Sequence, residues 1–323
     1  MDNINKFYNI DCIEGSQKYL SDNSIDLIIT DPPYGINGDK LHKHYNRREE
    51  FVIDGYIEIP QKEYAEFSEK WIKEAERVLK PGGSIYIVSG YTNLVDILNA
   101  LKKTKLKELN HIIWKYNFGV YTKNKYVSSH YHILYYTKPG KKHTFNTFCR
   151  YSDSEKNEMD RSLNYIDRED VWIINREYKP AKKKNKNELP TELLIKMISY
   201  SSNINDIVCD FFLGSFSTAK VAIGLNRNAC GFELNENVYN YQIKEVNRIQ
   251  KGSLLYRVKQ PEQMSLFNQG QKWSENDKSN LINKYLLIKQ KNNKSKKEII
   301  KDLSLELGRG IFSITNILKR ENL

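Results

Sequence analysis

Two strand-end carboxylates and the loops behind them are the residues of this chain best suited to chemistry. Asp31 closes an apolar run, residues 25–30, and is followed by Pro32, Pro33 and Tyr34. Proline fixes its own φ and has no N–H to donate. The step Asp31-Pro32-Pro33-Tyr34 therefore holds a carboxylate, a carbonyl and an aromatic ring in one array. At the carboxyl edge of a strand, such an array lies where open α/β sheets bind ligands. An acceptor pair beside an aromatic face suits a planar exocyclic amine, the chemistry of a nucleobase amino group. Asp210 closes a second apolar run, 206–210, ahead of Phe211-Phe212-Leu213-Gly214-Ser215-Phe216-Ser217-Thr218. A small-residue loop opening onto a helix can cradle a polar ligand end on its backbone N–H groups. The same pattern also serves any ordinary strand–turn–helix. In Cys230-Gly231-Phe232-Glu233, the acid stands where mononucleotide-binding halves hold ribose hydroxyls.

These groups need a sheet to position them. Residues 5–136 alternate short apolar runs with amphipathic stretches, the pattern of a doubly wound α/β sheet. Strands are predicted at 7–10, 25–30, 84–89, 111–114 and 131–136. Tyr64, Phe67, Trp71, Ile72, Ala75, Val78 and Leu79 recur at helical spacing, which predicts a helix over 61–79. Lys80-Pro81-Gly82-Gly83 should stop it sharply. A second α/β stretch opens at Leu189-Pro190-Thr191, with a helix over 192–200 and a strand over 206–210. A helix through Ala222 and a strand over 229–233 complete it.

Together the two signals resemble the DNA amino-methyltransferases, which move a methyl group from S-adenosylmethionine to the exocyclic amine of adenine or cytosine. The order, with Asp31–Tyr34 before a variable segment and the Asp210–Thr218 loop last, is similar to that family's β arrangement. The resemblance covers about 5–245, and Lys80–Gly83 and the segment from Trp114 to Tyr136 match further blocks. It implies a doubly wound mixed sheet of the Rossmann-like methyltransferase type, with a small helical C-terminal appendage outside the family. It also implies that Asp31, Pro32, Pro33 and Tyr34 serve catalysis. Asp31 and the Pro32 carbonyl would accept the amine's two N–H groups, and Tyr34 would stack on a base flipped out of the duplex. The cofactor would lie against Asp11, Asp31, Asp210, Phe211, Phe212, Gly214, Ser215, Ser217, Thr218 and Glu233. Asp at the first position of the tetrapeptide implies adenine N6 ahead of cytosine N4. The family's loop usually reads Asp-Pro-Phe-x-Gly-Ser-Gly-Thr-Thr. Here Phe211 replaces proline, Phe216 the second glycine and Ser217 a threonine, and Leu189 stands where lysine is frequent. A bulky Phe216 is expected to crowd the cofactor's methionine end. A DNA-binding module on a catalytically weakened methyltransferase fold is the reading that competes on this point.

Segment 138–186 changes character, with 13 Lys/Arg against 8 Asp/Glu. Arg150, Arg161, Arg168 and Arg176, with Tyr151, Tyr165 and Trp172 among them, offer charge and flat surfaces for target recognition. Lys182-Lys183-Lys184 is suited to phosphates or to water. Residues 35–56 read as a loop that closes over the site. The methyltransferase domain is expected over 1–260. The tail 271–323 carries 12 Lys/Arg against 6 Asp/Glu. Apolar positions over 297–307 and 311–319 predict two short helices around Gly308-Arg309-Gly310, a pattern like a helix-turn-helix. Arg309, Ser313, Thr315 and Asn316 would lie near the start of its second helix.

The chain's net charge of +11 points to a polyanionic partner, here double-stranded DNA. A cognate restriction endonuclease and a homodimer are further partners to test. Four scattered cysteines without a CxxC pair suit reduced thiols and a cytoplasmic protein. The pairs His42/His44 and His130/His132 lack further ligands at metal spacing, and no metal is expected. No run approaches a membrane span.

Overall fold

Residues 5–33, 59–117, 119, 123–147, 165–177, 188–258, 268, 272–291 and 294–323 are described by a computed structural model. The chain divides into two units, Met1–Lys259 and Gln260–Leu323. Tyr34, residues 35–56 with His42 and His44, Cys149, Arg150, Tyr151, Arg161 and Lys182–Lys184 lie outside the described residues.

The first unit is a sheet with helices on both faces. Its strands are β1 (Lys6–Tyr8), β2 (Ile25–Thr30), β3 (Leu79–Ser89), β4 (Lys107–Lys115), β5 (His130–Thr137), β6 (Val171–Ile173), β7 (Ile207–Asp210) and β8 (Asn228–Phe232). They lie side by side in the order β1-β8-β7-β2-β3-β5-β4-β6. Pairing is parallel throughout except at β5, which runs antiparallel to both neighbours. The carboxyl ends of β1, β2, β3, β4, β6, β7 and β8 thus share one edge with the start of β5.

Burial on both faces explains why these strands read as continuous apolar runs rather than alternating ones. On one face Leu27, Ile29, Tyr86, Val88, Ile133, Tyr135 and Val208 meet α5 (Thr191–Ser201) and α6 (Ser217–Gly224). On the other, Ile28, Ile85, Ile87, Leu134 and Cys209 meet α2 (Tyr64–Val78) and α3 (Leu94–Lys102). Trp71, Ile72, Ala75 and Val78 form the buried stripe of α2, at the spacing that the sequence predicts. A short α1 (Cys12–Tyr19) follows β1, and α7 (Glu236–Val246) follows β8.

Two expectations about this unit are corrected. Strand β3 begins at Leu79, not Ser84. Ile25 pairs with Leu79 and Leu27 with Ser84, so Lys80–Gly83 is a bulge within the strand. Gly82 at φ +82° supplies the positive φ that the bulge needs. Segment 138–186 is not wholly an insertion. A single turn α4 (Tyr165–Arg168) leads into β6, which pairs with β4 through Val171, Trp172 and Ile173. Three residues are too few for a periodicity to register.

The second unit holds α8 (Glu275–Lys291), α9 (Lys296–Leu307) and α10 (Ile311–Arg320). Leu281, Tyr285, Ile299, Ile300, Leu303, Ile314, Ile317 and Leu318 form its core. The tail thus has one helix more than the two that the sequence predicts. No helix among the described residues is long and apolar enough to cross a membrane.

Candidate active site

Connectivity creates a crevice at the carboxyl ends of β2 and β7. From β7 the chain crosses to β8 on one side, and from β2 to β3 on the other. Neighbouring strands whose crossovers diverge leave an opening between them, the usual ligand position in such sheets. Asp31 follows β2 and Asp210 ends β7, so both acids stand at this switch point.

The two ends are tied together. Thr30 Oγ1 donates to Asp210 Oδ1 at 3.0 Å, and the Phe212 N–H donates to the same oxygen at 3.0 Å. Asp210 is fully enclosed, and burial pushes its carboxyl up to about 6. The bonds from Phe212, Thr218 and Thr30 oppose that rise. Asp31 is half-buried, and Pro32 behind it is buried. Beside Asp31 lies Tyr64, whose phenol is pushed far up by burial, against a bond with Asn93, and further up by the Asp31 charge.

Loop 211–216 turns back over β8. Gly214, at φ +49°, donates its N–H to Glu233 Oε2 at 2.8 Å, while Asn235 N donates to Oε1 at 2.8 Å. Burial raises the Glu233 carboxyl, and the N–H groups of Asn235, Gly214 and Leu234 lower it. A carboxylate has about four lone-pair sites, so Glu233 retains acceptor capacity after these bonds. Gly231 permits the approach of loop and strand, since a Cβ there would stand 2.2 Å from the Asp210 carbonyl oxygen. Ser215 and Ser217 hydroxyls meet at 2.5 Å, and Ser217 Oγ donates to Glu188 Oε1 at 3.1 Å. Lys220 Nζ closes the loop from behind, donating to the Ser215 carbonyl at 2.8 Å and to Gln242 Oε1 at 2.7 Å.

Phe216 does not point its ring along the loop. It holds φ 58° and ψ 24° at the head of α6, the left-handed region. Its ring is 0% exposed and packs on Phe7 (centroids 5.3 Å) and Tyr239 (6.1 Å). The expected crowding thus becomes a backbone cost, because a residue with a Cβ occupies a conformation that glycine takes freely. Phe211 is also core, against Trp71 and Phe232, and Phe212 packs on Phe67 and Trp71. Asp11 heads α1 as its N-cap, with Oδ1 accepting from Ile13 N at 2.8 Å and Glu14 N at 3.2 Å.

The model of the DNA methylase family matches residues 25–245. The chain belongs to this DNA methylase family. The type II methyltransferase M.HpaI of Haemophilus parainfluenzae is 35% identical over 225 residues, which are 68% of this chain and 67% of that protein. The DNA adenine methyltransferase YhdJ of Escherichia coli K12 is 32% identical over 241 residues, covering 68% of this chain and 74% of that one. The crystal structure of TTHA0409 from Thermus thermophilus, complexed with S-adenosyl-L-methionine, shares the fold. Its TM-score is 0.53 at 21% identity, covering 76% of this chain and 93% of that chain.

In this methylase the fold gathers Asp31, Pro32, Asp210, Gly214, Ser215, Ser217, Thr218 and Glu233 along one edge of the first unit. Thr30, Tyr64, Glu188 and Lys220 join them without having been singled out from the sequence. Glu188 had a legible signal, as the acid directly before Leu189-Pro190, but Thr30 reads only as the last residue of a strand. His132, on β5, has its Nδ1 2.8 Å from His111 Nε2, and burial with the neighbouring His111 and His130 lowers its pKa. Among the described residues no group of three His, Cys, Asp or Glu side chains is placed to hold a metal ion. Cys12, Cys209 and Cys230 are buried free thiols.

Proposed function

We propose that this methylase transfers a methyl group from S-adenosylmethionine to the N6 amine of adenine in double-stranded DNA, as the modification partner of a restriction system. The observation that carries the reading is the Thr30–Asp210 bond, which joins the strand bearing Asp31-Pro32 to the strand bearing the Gly214 loop. Amine site and cofactor loop thereby share one crevice.

The residues present fit the cofactor. Asp31, Asp210 and Glu233 give the crevice an acidic character suited to a cationic ligand. Glu233 keeps acceptor capacity for ribose hydroxyls, and the loop around Gly214, Ser215 and Ser217 lies beside it. Asp11 is assigned to the adenine amine, with Oδ1 committed to capping α1. Phe211 and Phe212 contribute through backbone, since their rings pack in the core. When bound, S-adenosylmethionine supplies an electrophilic sulfonium methyl.

The amine of a nucleobase is a weak nucleophile because its lone pair is delocalised into the ring. Asp31 and the Pro32 carbonyl accept its two N–H groups, which favours a pyramidal nitrogen with the lone pair aimed at the methyl. The Asp31 carboxylate also stabilises the positive charge that grows on nitrogen as the N–C bond forms and the donor's S–C bond breaks, the surplus amine proton then leaving to solvent. Positioning and electrostatics of this kind supply the rate without a covalent enzyme intermediate. Tyr34 is assigned to stacking on the flipped base. M.HpaI is named a type II methyltransferase and YhdJ a DNA adenine methyltransferase, which supports a modification role and adenine as target. We assign the protein to the cytoplasm, where DNA and cofactor meet. A cognate endonuclease and a homodimer belong to the same proposal.

The test is to expose plasmid DNA to the protein and cofactor, then digest to nucleosides and separate them by mass spectrometry. N6-methyladenine is the expected product. N4-methylcytosine would overturn the adenine assignment, and unmodified DNA with no cofactor binding by calorimetry would favour a DNA-binding module on a weakened fold.

A further inference from the structure

The second unit lies outside the matched residues 25–245, so the family accounts for none of it. Helix α9 starts with a full capping box, in which Ser295 Oγ accepts from Glu298 N and the Glu298 carboxylate accepts from Ser295 N. It stops at Gly308, at φ 61°. Three residues later α10 begins, and its Ile314, Ile317 and Leu318 pack on α8 and α9. Two helices joined by a short glycine turn over a third have the organisation of a helix-turn-helix.

Two of the polar residues near the turn are absorbed by the unit itself. Arg309 is buried, with its guanidinium 4.6 Å from the Trp273 ring centre and 3.2 Å from Asp277 Oδ2. Ser313 Oγ accepts from Trp273 Nε1 at 2.7 Å. The outer stripe of α10 is therefore Phe312, Thr315, Asn316 and Lys319, at i, i+3, i+4 and i+7, with Arg320 beside it. Phe312 is 83% exposed and Ile311 before it 52%, so a large ring stands in solvent at the head of the polar positions Thr315, Asn316 and Lys319. No acidic residue occurs within α10, and over 271–323 basic residues outnumber acidic ones 12 to 6.

We propose that α10 is a second DNA-reading element, laying Phe312 and Asn316 into the major groove of a duplex with Lys319 and Arg320 on its flanking phosphates. This rests on DNA being the substrate, and not on which base is methylated. An amide on a base edge, a ring on a thymine methyl and two cations on flanking phosphates are the pairings that such a stripe supports. The surplus of positive charge selects duplex DNA over an apolar protein groove as the occupant. The methylase would then grip DNA at two places, with its footprint reaching beyond the modified site.

The test uses the full chain and two variants, Phe312→Ala with Asn316→Ala, and Lys319→Ala with Arg320→Ala. Fluorescence anisotropy on a duplex of about three helical turns gives the dissociation constant across a salt series. Each variant should weaken binding by about tenfold or more. The second should also flatten the slope of log K against log salt by about 2. Circular dichroism should be unchanged, and methyl transfer at saturating DNA should persist. Unaltered affinity in both variants overturns the proposal, as does an unaltered affinity accompanied by loss of a dimer in sedimentation, which would make the stripe a self-association face. A parent chain that binds the duplex but methylates nothing overturns the catalytic reading alone.

Discussion

At the scale of single residues, the site depends on where each carboxylate stands relative to solvent and to N–H groups. Asp31 is assigned to the amine and is held by rigid prolines, so Asp31→Ala should lower methyl transfer by about 1,000-fold or more. Cofactor affinity by calorimetry should fall far less than transfer does, since Asp210 and Glu233 remain, and retained transfer would overturn the role. Asp210 answers to a different balance. Its pKa rises from an ordinary 3.8 to about 6 because it is enclosed. The folded state thus holds the proton more tightly than the unfolded chain does. The associated stability is fully present below about pH 4 and is lost as pH rises through 6, on the order of 3 kcal/mol. Asp210→Asn keeps the acceptor for Thr30 and Phe212 without the charge. Urea unfolding between pH 4 and 7 should show the wild type losing ground against this variant, and parallel curves would refute the account. Phe216 sets a buried ring against a left-handed backbone. Losing a buried Phe costs about 3–5 kcal/mol, while glycine relieves about 1–2 kcal/mol. Phe216→Gly should therefore be net destabilising by about 1–4 kcal/mol in denaturant unfolding, despite restoring the family's residue.

At the scale of elements, helix α5 is the piece whose role the sequence hides. It carries a lysine, Lys196, only 5% exposed on a helix otherwise dense in Leu, Ile and Met. Its Nζ lies 4.7 Å from the Trp172 ring centre and 3.1 Å from Asp167 Oδ1, and Tyr200 donates to Asp167 Oδ2. α5 thereby pins β6 and the turn before it to the sheet. Removing the ammonium takes a countercharge away from a half-buried carboxylate that keeps its Tyr200 bond, so Lys196→Ala should cost about 3 kcal/mol, and Asp167→Ala on top should recover part of that. A double-mutant cycle by chemical denaturation measures the coupling. The helix period of α2 and the runs of β2, β7 and β8 were readable because each buries a regular pattern on the sheet. β6 was not, since a three-residue edge strand exists only through its ladder with β4. α8 escaped for a related reason: its apolar residues are sparse, and its burial comes from α9 and α10.

At the scale of the molecule, two units enclose separate hydrophobic cores, one on the faces of the sheet and one among α8, α9 and α10. Leu303 is wholly buried in the smaller core. Leu303→Ala should destabilise that unit by about 2–5 kcal/mol. Calorimetry should then show a shifted tail transition, with the cofactor-induced rise in melting temperature of the first unit intact. A loss of that rise would show the cores to be energetically one.

The order of motifs, the strand-end position of Asp31-Pro32, the loop after Asp210, the place of Glu233 and the helical tail were all determined by sequence. Each is a local matter of residue type and spacing: proline's fixed φ, an acid ending an apolar run, a repeat of apolar residues at helical period. Tertiary structure alone decided that Thr30 bridges to Asp210 across 180 residues, that Phe216 turns its ring into the core, and that Arg309 is spent on Trp273 and Asp277. Such outcomes follow from which buried polar groups find partners and which rings find space, and these depend on elements distant in the chain being brought side by side.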